Sequence, residues 1–177
     1  VGTGKGAENG ILIKGGEPLE QACKINTIVF DKTGTLTKGK PEVTDVETLS
    51  NFDRDTVLTV AASLEKQSEH PLAEAIYKAA ENQKLGLYEV NGFSAIPGHG
   101  VQGVINDVTY YLGNRKLITD ILGLPVDAIN LQMSRLEEQG KTAMILASKE
   151  TIVGLVAVAD TVKETSQQAV ALLRNRG

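Results

Sequence analysis

The sequence predicts an α/β unit that is interrupted by an α+β insertion, and three features of the chain lead to this prediction. The β-branched run at residues 25–30 (INTIVF) lacks alternation and is typical of a strand buried on both faces of a parallel sheet. The middle of the chain combines amphipathic helices with pairs of short strands joined by tight turns, as an antiparallel sheet requires. A strand at residues 151–159 and a helical pattern at 163–174 then close the chain as a strand–helix unit.

Composition limits the classes of protein to which this chain can belong. With 177 residues, of which 41% are hydrophobic, it is long enough to bury a proper core. The net charge of −4, together with the lack of basic runs interleaved with aromatic residues, argues against a nucleic-acid partner. Cys23 is the only cysteine, which excludes an internal disulfide, and we expect it to be a small core residue. No apolar stretch approaches the ~20 residues of a membrane-spanning helix; both ends look cut, which predicts a soluble piece of a larger protein.

In the first third of the chain, the sequence predicts short strands separated by irregular segments. The glycine-rich residues 1–24 predict an irregular or loosely helical lead with a short strand at 11–14. The buried strand at 25–30 leads into a segment with two glycines, which predicts a turn before Pro41. Residues 43–49 alternate between apolar and polar side chains, as a half-buried strand does.

Two consecutive helices are predicted after this strand. Asp53 is placed to cap the first helix, and Pro71 interrupts the pattern and begins the second, because proline suits the first turn of a helix. The apolar stripes of the two helices consist of Val57, Leu58, Ala61, Leu64, Leu72, Ala75, Ile76 and Ala79.

From Tyr88 onward the apolar period changes to two, which predicts strands. Residues 106–107 and 149–150 lie between strand-like segments and predict two tight hairpins. Between the hairpins, Asp127 is placed to cap a helix that Gly140 ends.

The order of these elements predicts where the insertion begins and ends. The chain would cross between the two units near residues 38–42 and again near 156–161. We therefore expect residues 1–41 and 158–177 to form the α/β unit and residues 42–157 to form the insertion.

A lone carboxylate at the end of the first predicted strand suggests chemistry. Ligand sites in open α/β sheets lie at the carboxyl ends of strands, where Asp31 would lie. Such a carboxylate can attack phosphorus, and Gly34 lets the backbone turn its N–H groups toward a phosphate. Lys32 adds a positive charge, and Thr33 and Thr35 add hydroxyls. A lone aspartate at a strand end is more often a turn cap, but the whole run DKTGTLT favours the chemical interpretation.

The seven residues Asp31–Thr37 (DKTGTLT) resemble the phosphorylation motif of the P-type ATPases, cation pumps of the haloacid-dehalogenase-like superfamily. The resemblance implies a haloacid-dehalogenase-like (Rossmann-like) phosphorylation domain, incomplete here, with Asp31 as the acceptor of the γ-phosphate of ATP and Lys32 beside it. It also implies that Asp31 and the carbonyl of Thr33 are ligands of Mg²⁺. Phosphatases of the superfamily usually carry a second aspartate at the position of Thr33. Because threonine cannot shuttle protons near pH 7, we expect a long-lived aspartyl phosphate.

Residues 68–76 (SEHPLAEAI) resemble the Ser-Glu-His-Pro signature of the heavy-metal-transporting branch of these pumps. The resemblance implies that His70 contacts the adenine end of ATP and that Glu65 reaches the adenine amino group. On its own, a histidine before a helix-starting proline is more often structural and simply caps the helix.

Four further residues match the nucleotide site of the same branch, namely Gly98, Gly100, Gly113 and Asn114. Residues 98–103 fit the pattern G-x-G-x-x-G, but a strand and a hairpin follow it rather than a helix, so we reject a dinucleotide-binding fold. The resemblance implies that the two glycines let the backbone approach the nucleotide and that the asparagine binds it or supports the loop.

Residues 160–163 (DTVK) resemble the hinge through which the nucleotide domain of these pumps returns, with Asp160 and Lys163 as the matching residues. The sequence of the first 24 residues resembles copper pumps more closely than zinc or cadmium pumps. The resemblance implies ATP and Mg²⁺ as cofactors, and the membrane, actuator and remaining phosphorylation domains as partners. It places the chain on the cytoplasmic side of an integral membrane protein, at the plasma membrane if the source is bacterial or archaeal.

The chain ends before the family's Thr-Gly-Asp and Gly-Asp-Gly segments, so the resemblance implies nucleotide binding without turnover and no binding of the transported metal. Two alternatives remain open from the residues. One is a phosphatase of the same superfamily, and the other is a nucleotide-sensing or docking module without catalysis.

Overall fold

The computed structural model describes residues 2–49 and 51–175. Within these residues the helices are α1 (Gly2–Glu8), α2 (Glu17–Ala22), α3 (Arg54–Glu65), α4 (Pro71–Asn82), α5 (Asp127–Glu138) and α6 (Glu164–Arg174). The strands are β1 (Thr37–Thr48), β2 (Asn91–Ile96), β3 (Gly100–Ile105), β4 (Val108–Gly113), β5 (Thr142–Ser148) and β6 (Ile152–Val162).

All the strands in the described part of the chain belong to one six-stranded sheet with the order β1-β6-β5-β4-β3-β2, and every neighbouring pair is antiparallel. The predicted hairpin at residues 106–107 is confirmed. Asn106 and Asp107 have φ values of 48° and 64°, and these left-handed conformations match the twist of a two-residue hairpin. The second predicted hairpin joins β5 to β6.

The sheet carries helices on both faces, and its central strands are buried on both sides. Along β6, Val156 and Val158 belong to the core cluster that contains α3 and α4, whereas Leu155 and Ala157 belong to the cluster that contains α5. Successive side chains of a strand point to opposite faces, so the near-continuous apolar sequence of β6 serves two cores at once.

The two predicted consecutive helices are confirmed with their caps. The carboxylate of Asp53 accepts a hydrogen bond from the backbone N–H of Thr56 at 2.7 Å, which satisfies one free donor of the first turn of α3. Leu58 and Leu64 of α3 are fully buried, and α4 begins at Pro71 as expected.

The predicted strand at residues 25–30 is wrong, because this segment has no regular secondary structure and Val29 is 91% exposed. A buried strand must pair with neighbouring strands, and the one sheet that the described residues form does not include this segment. The short strand expected at 11–14 is also not formed, and Cys23 is exposed rather than in the core. Helices α1 and α2 have no buried residues, so the sequence before Asp31 contributes little to the core.

Two smaller differences concern helix ends and faces. Asp127 is the first residue of α5 rather than its cap, which is Val126. The apolar side of α6 is only partly covered, because Val170 is half-buried and Leu173 is exposed. Val170 lines an open groove of about 640 Å³ beside the start of β1.

The predicted limits of the insertion fall inside two paired strands. Residues 41 and 42 lie in β1, residues 157 and 158 lie in β6, and the two strands are paired from Thr48↔Gly154 to Pro41↔Asp160. The connection between the two predicted units is therefore a two-stranded ribbon, and the division into domains stays a prediction.

Candidate functional site

The loop that carries Asp31 turns sharply directly after this residue. Asp31 is exposed, its backbone is extended at φ −67° and ψ 143°, and residues Lys32–Leu36 form the turn. Thr33 is also extended, and Gly34 has a φ of +75°, a conformation that glycine adopts without strain. A Cβ on Gly34 would meet no described atom within 4 Å, so the backbone angle rather than crowding favours glycine here. The carboxylate of Asp31 is accessible to a ligand from solvent.

Thr37 closes this turn, and its hydroxyl is buried in a network. The residue is only 1% exposed. Its Oγ1 accepts a hydrogen bond from the N–H of Gly34 at 3.1 Å and lies 3.0 Å from the carbonyl of Lys32. The same oxygen contacts a carboxylate oxygen of Asp160, to which it donates its proton. The sequence does not reveal this role of Thr37, the last residue of DKTGTLT, because its partner lies 123 residues further along the chain.

Asp160 and Lys163, which the sequence places at a hinge, both reach the Asp31 loop. The second oxygen of Asp160 accepts a hydrogen bond from the N–H of Gly39 at 2.9 Å. The ammonium group of Lys163 donates to the carbonyl of Gly34 at 2.7 Å, and its backbone N–H donates to the carbonyl of Leu36 at 2.9 Å. The structure therefore brings the end of β6 and the start of α6 together with the loop.

Glu65 ends α3 as a buried carboxylate. The residue is 7% exposed, and its Oε2 has no hydrogen-bond partner within the described residues. Burial raises the pKa of Glu65, and the Ser68 hydroxyl and the charge of His70 offset part of this rise. That Glu65 and His70 share a nucleotide cleft stays a prediction.

His70 is exposed at the N-terminus of α4 and caps that helix. Its Nδ1 accepts a hydrogen bond from the N–H of Leu72 at 3.2 Å. In the neutral ring the proton is then on Nε2, which leaves an N–H donor available to a ligand. Capping and ligand binding are therefore compatible, because they use different ring nitrogens.

Glycine is favoured at positions 98 and 100 of the predicted nucleotide loop for different physical reasons. Gly98 has a φ of +75°, and a Cβ there would point into open space. Gly100 pairs with Gly113 across β3 and β4, and a Cβ on Gly100 would lie 2.1 Å from the carbonyl oxygen of Leu112. A Cβ on Gly113 would lie 2.2 Å from the carbonyl oxygen of His99. The chain segments are in contact here, so neither paired position accepts a side chain.

Asn114 joins this loop to the element that follows β4. Its Nδ2 donates to the carbonyl of Gly98 at 2.8 Å, and its Oδ1 accepts from the N–H of Leu117 at 3.1 Å. Its backbone N–H donates to the carbonyl of His99 at 2.9 Å. Both polar atoms of the side chain are thus used within the protein, so Asn114 supports the loop.

The predicted nucleotide residues form two groups that the core connects. The first group is Glu65 and His70, and the second is the cluster of Gly98, Gly100, Gly113 and Asn114. A Cβ on Gly103 would lie 3.0 Å from the Cδ2 atom of Leu64, the neighbour of Glu65. Since Gly103 is three residues from Gly100 on β3, the glycine cluster lies roughly 10 Å further along the strand. The described contacts do not link either group to the Asp31 loop.

Two features are absent from the described residues. They contain no group of three or more His, Cys, Asp or Glu side chains that could hold a metal ion. Among the helices of residues 2–49 and 51–175, none is both long and apolar enough to span a membrane.

Known proteins match this chain over most or all of its length. Residues 25–177 match the family model of the haloacid dehalogenase-like hydrolases. The copper-exporting P-type ATPase of Staphylococcus haemolyticus is 47% identical over 173 residues, which are 98% of this chain and 21% of that protein. The probable copper-importing P-type ATPase A of Enterococcus hirae is 45% identical over 177 residues, which are 100% of this chain and 24% of that protein.

A solved structure extends the likeness to three dimensions. The crystal structure of a zinc-transporting PIB-type ATPase in the E2.Pi state has a TM-score of 0.89 to this chain at 31% sequence identity. The match covers 99% of this chain and 28% of that one. The chain thus spans 21% to 24% of the length of the two curated relatives.

Proposed function

Because the chain belongs to the haloacid dehalogenase-like hydrolase family, we propose that it forms the nucleotide-binding and phosphoryl-acceptor part of a copper-transporting P-type ATPase. The predicted resemblance to P-type ATPases and the predicted fold class are confirmed by the comparisons. The observation that carries the proposal is the accessible carboxylate of Asp31 at the head of a turn that buried and charged side chains hold in place.

The proposed reaction is phosphoryl transfer from ATP to Asp31. One carboxylate oxygen attacks the γ-phosphorus, a new P–O bond forms, and the bond from the γ-phosphorus to the bridging oxygen of ADP breaks. The reaction depends chiefly on in-line placement and on charge neutralisation, and Lys32 supplies a cation beside the acceptor. Thr33 has no group that exchanges protons near pH 7, so the acyl phosphate lasts long enough to drive transport. This argument speaks against the phosphatase alternative.

Mg²⁺ is the cofactor that the proposed transfer needs, and Asp31 together with the carbonyl of Thr33 would hold it. Both are oxygen donors, the ligand type that Mg²⁺ prefers, but two donors leave most of an octahedral shell to phosphate oxygens and water. When bound, the ion would neutralise charge on the transferred group. We accordingly expect the 177-residue chain to bind ATP weakly and to show little or no phosphorylation by itself.

The nucleotide is proposed to lie against the α3–α4 break and the glycine cluster. The Nε2–H of His70 offers a donor for the edge of adenine. The resemblance assigns the adenine amino group to Glu65, whose Oε2 is buried in the structure. The Gly98–Gly100 turn lets the backbone approach the ligand, with Gly113 and Asn114 supporting that turn from β4. A docking module without catalysis would use the same group but would not need Asp31.

Copper is the proposed cargo because the two curated relatives are copper transporters by name. One is named as an exporter and the other as an importer, so we propose no direction of transport. The partners would be the remaining domains of the pump, and the chain would lie on the cytoplasmic side of the membrane that contains them. Movement across the β1–β6 ribbon, near Asp160 and Lys163, would bring the nucleotide to Asp31.

The proposal is tested by replacing Asp31 with asparagine in the full-length pump. We expect Asp31→Asn to abolish acid-stable label from γ-labelled ATP, because the amide oxygen is a poor nucleophile, while the affinity for ATP stays within twofold. Asp107→Asn is a matched control in an exposed turn that tolerates asparagine, and it should leave labelling unchanged. Undiminished labelling and metal transport in the Asp31→Asn pump would contradict the proposal.

A further inference from the structure

We infer that Asp160 is a positioning residue for Asp31, and that it acts by closing a bulge at the start of β1. The inference rests on the proposed function, since positioning matters only if Asp31 accepts a phosphoryl group. It adds to the hinge proposed near residues 160–163, because these contacts fix the shape of the Asp31 loop itself, whatever movement the β1–β6 ribbon makes.

The bulge lies between Thr37 and Pro41. Thr37 pairs with Val162 and Pro41 pairs with Asp160, so four steps along β1 oppose two steps along β6. The extra residues must leave the ladder, and Gly39 does so at a φ of +73°. A Cβ on Gly39 would lie 3.1 Å from the Cα of Gly34, so the bulge packs directly against the turn that follows Asp31.

The carboxylate of Asp160 holds this bulge at its first residue, Thr37, and at its middle residue, Gly39. One oxygen accepts from the N–H of Gly39 at 2.9 Å, and the other accepts from the hydroxyl of Thr37. An ionised acceptor makes hydrogen bonds about twice as strong as neutral ones, and Thr37 is almost fully shielded from water. A single side chain therefore fixes the path of the extra residues.

The constraint continues to the Asp31 loop through the peptide groups of Gly34. The N–H of Gly34 donates to the same Thr37 hydroxyl that Asp160 orients, at 3.1 Å. The carbonyl of Gly34 accepts from the ammonium of Lys163 at 2.7 Å. Both sides of this glycine, three residues after the proposed phosphoryl acceptor, are thus held by the junction of β6 and α6. Lys163 is the weaker of the two tethers, because its contact is exposed to solvent.

The functional consequence concerns alignment rather than affinity. A misplacement of about 1 Å in a reacting group can lower a rate about 10²-fold. Loss of the Asp160 contacts should therefore slow the formation of the aspartyl phosphate by roughly 10- to 100-fold. The affinity for ATP should not change, because the described contacts of Glu65, His70 and the glycine cluster do not include these residues.

The test in the full-length pump uses Asp160→Ala, Thr37→Val, Thr37→Ser and the double change Asp160→Ala/Thr37→Val. We expect Asp160→Ala and Thr37→Val each to slow acid-stable labelling by ~10- to 100-fold at unchanged ATP affinity. The double variant should be no slower than the slower single variant, because both changes remove one network. Thr37→Ser keeps the hydroxyl and should restore the rate to within about threefold. Rates within twofold of the unchanged pump in both single variants, or a parallel loss of ATP affinity, would overturn the inference.

A second measurement, on the 177-residue chain itself, does not depend on the reaction. In ¹H–¹⁵N spectra, Asp160→Ala should shift the amides of Gly39 and Gly34 and speed their hydrogen exchange at least tenfold, while Gly100 and Gly113 stay unchanged. An unaltered Gly34 amide would show that Asp160 does not constrain the loop. If the unchanged pump forms no acid-stable label, the proposed function fails whatever the spectra show. If it forms label and the Asp160→Ala pump labels normally, only this inference fails.

Discussion

The two proposed halves of the site are built in different ways. The nucleotide group lies on elements that pack into the main core, where Leu64 is fully buried beside Glu65 and the backbones of β3 and β4 touch at Gly100 and Gly113. The Asp31 loop has little core of its own, and a few polar contacts from a distant junction determine its shape. One half is rigid because it is packed, and the other is ordered because it is tethered.

This difference predicts how each half responds to substitution. A change in the packed half should affect stability as well as binding, because the site and the core share residues. A change in the tethered half should alter the loop while the fold remains intact. The predictions below test this contrast, and the largest effect comes first.

Gly100→Ala should be the most damaging change in the nucleotide group. A Cβ there would lie 2.1 Å from the carbonyl oxygen of Leu112, so β3 and β4 would have to separate. We expect a loss of about 3 kcal/mol in the free energy of unfolding, or roughly 10 °C in Tm, measured by thermal and urea denaturation. Gly98→Ala is the matched control, since its Cβ is unobstructed and only the left-handed backbone is strained, at about 1 kcal/mol. Equal losses for the two variants would show that packing does not distinguish them.

His70→Asn should separate helix capping from nucleotide binding. Asparagine is a good N-cap, so the α4 terminus remains satisfied, but the Nε2–H donor is removed. We expect the Kd for ATP to rise about tenfold, which corresponds to ~1.4 kcal/mol, while Tm stays unchanged. Calorimetric titration and thermal denaturation measure the two quantities.

Two comparison variants sharpen this test of His70. His70→Gln should weaken binding markedly as well. His70→Ala should lose binding and also about 1 kcal/mol of stability, because it removes the cap. Unchanged ATP affinity in all three variants would remove His70 from the proposed site.

Glu65→Gln should stabilise the protein at pH values above the usual pKa of a glutamate. Burial raises the pKa of Glu65 in the folded state, so the fold binds this proton more tightly than the unfolded chain does. Glu65 therefore contributes less to the free energy of unfolding as the pH rises from its pKa in the unfolded chain through its raised pKa in the folded state. At pH 7.5 we expect Glu65→Gln to be more stable by about 1 kcal/mol, and the advantage should vanish near pH 4.

Urea denaturation at both pH values tests this sign. Glu69→Gln, the same change at an exposed neighbour, is the matched control. A stability difference for Glu65→Gln that is the same at both pH values would contradict the burial argument.

Local signals in the sequence predicted much of the packed half. Asp53 and Pro71 mark helix starts by rules that depend on adjacent residues, and the turn at residues 106–107 requires left-handed backbone that its asparagine and aspartate tolerate. The predicted apolar face of α3 is buried, but so is every residue from Val57 to Glu65, so the sequence predicted one face of a helix that is buried on all sides. In this region, local preference and tertiary packing favour the same structure.

The tethered half could not be predicted in the same way. The run at residues 25–30 has the composition of a buried strand, but burial depends on partner strands, which composition does not reveal. The role of Thr37 depends on Asp160, far along the chain, and a pairing register with a bulge is needed to bring them together. The motif predicts Asp31 as the residue that carries the chemistry, and this assignment stays a prediction, whereas the contacts that hold its loop follow from topology.

A titration of the 177-residue chain with ATP, followed by ¹H–¹⁵N NMR, tests the central claim most directly. The claim is that the nucleotide group binds ATP on its own and is separate from the Asp31 loop. We expect saturable shifts at the amides of Leu72, Gly98, Gly100 and Gly113, and none at residues 32–37. Shifts that appear first in residues 32–37, or that leave the glycine cluster and Leu72 unchanged at saturation, would contradict the account.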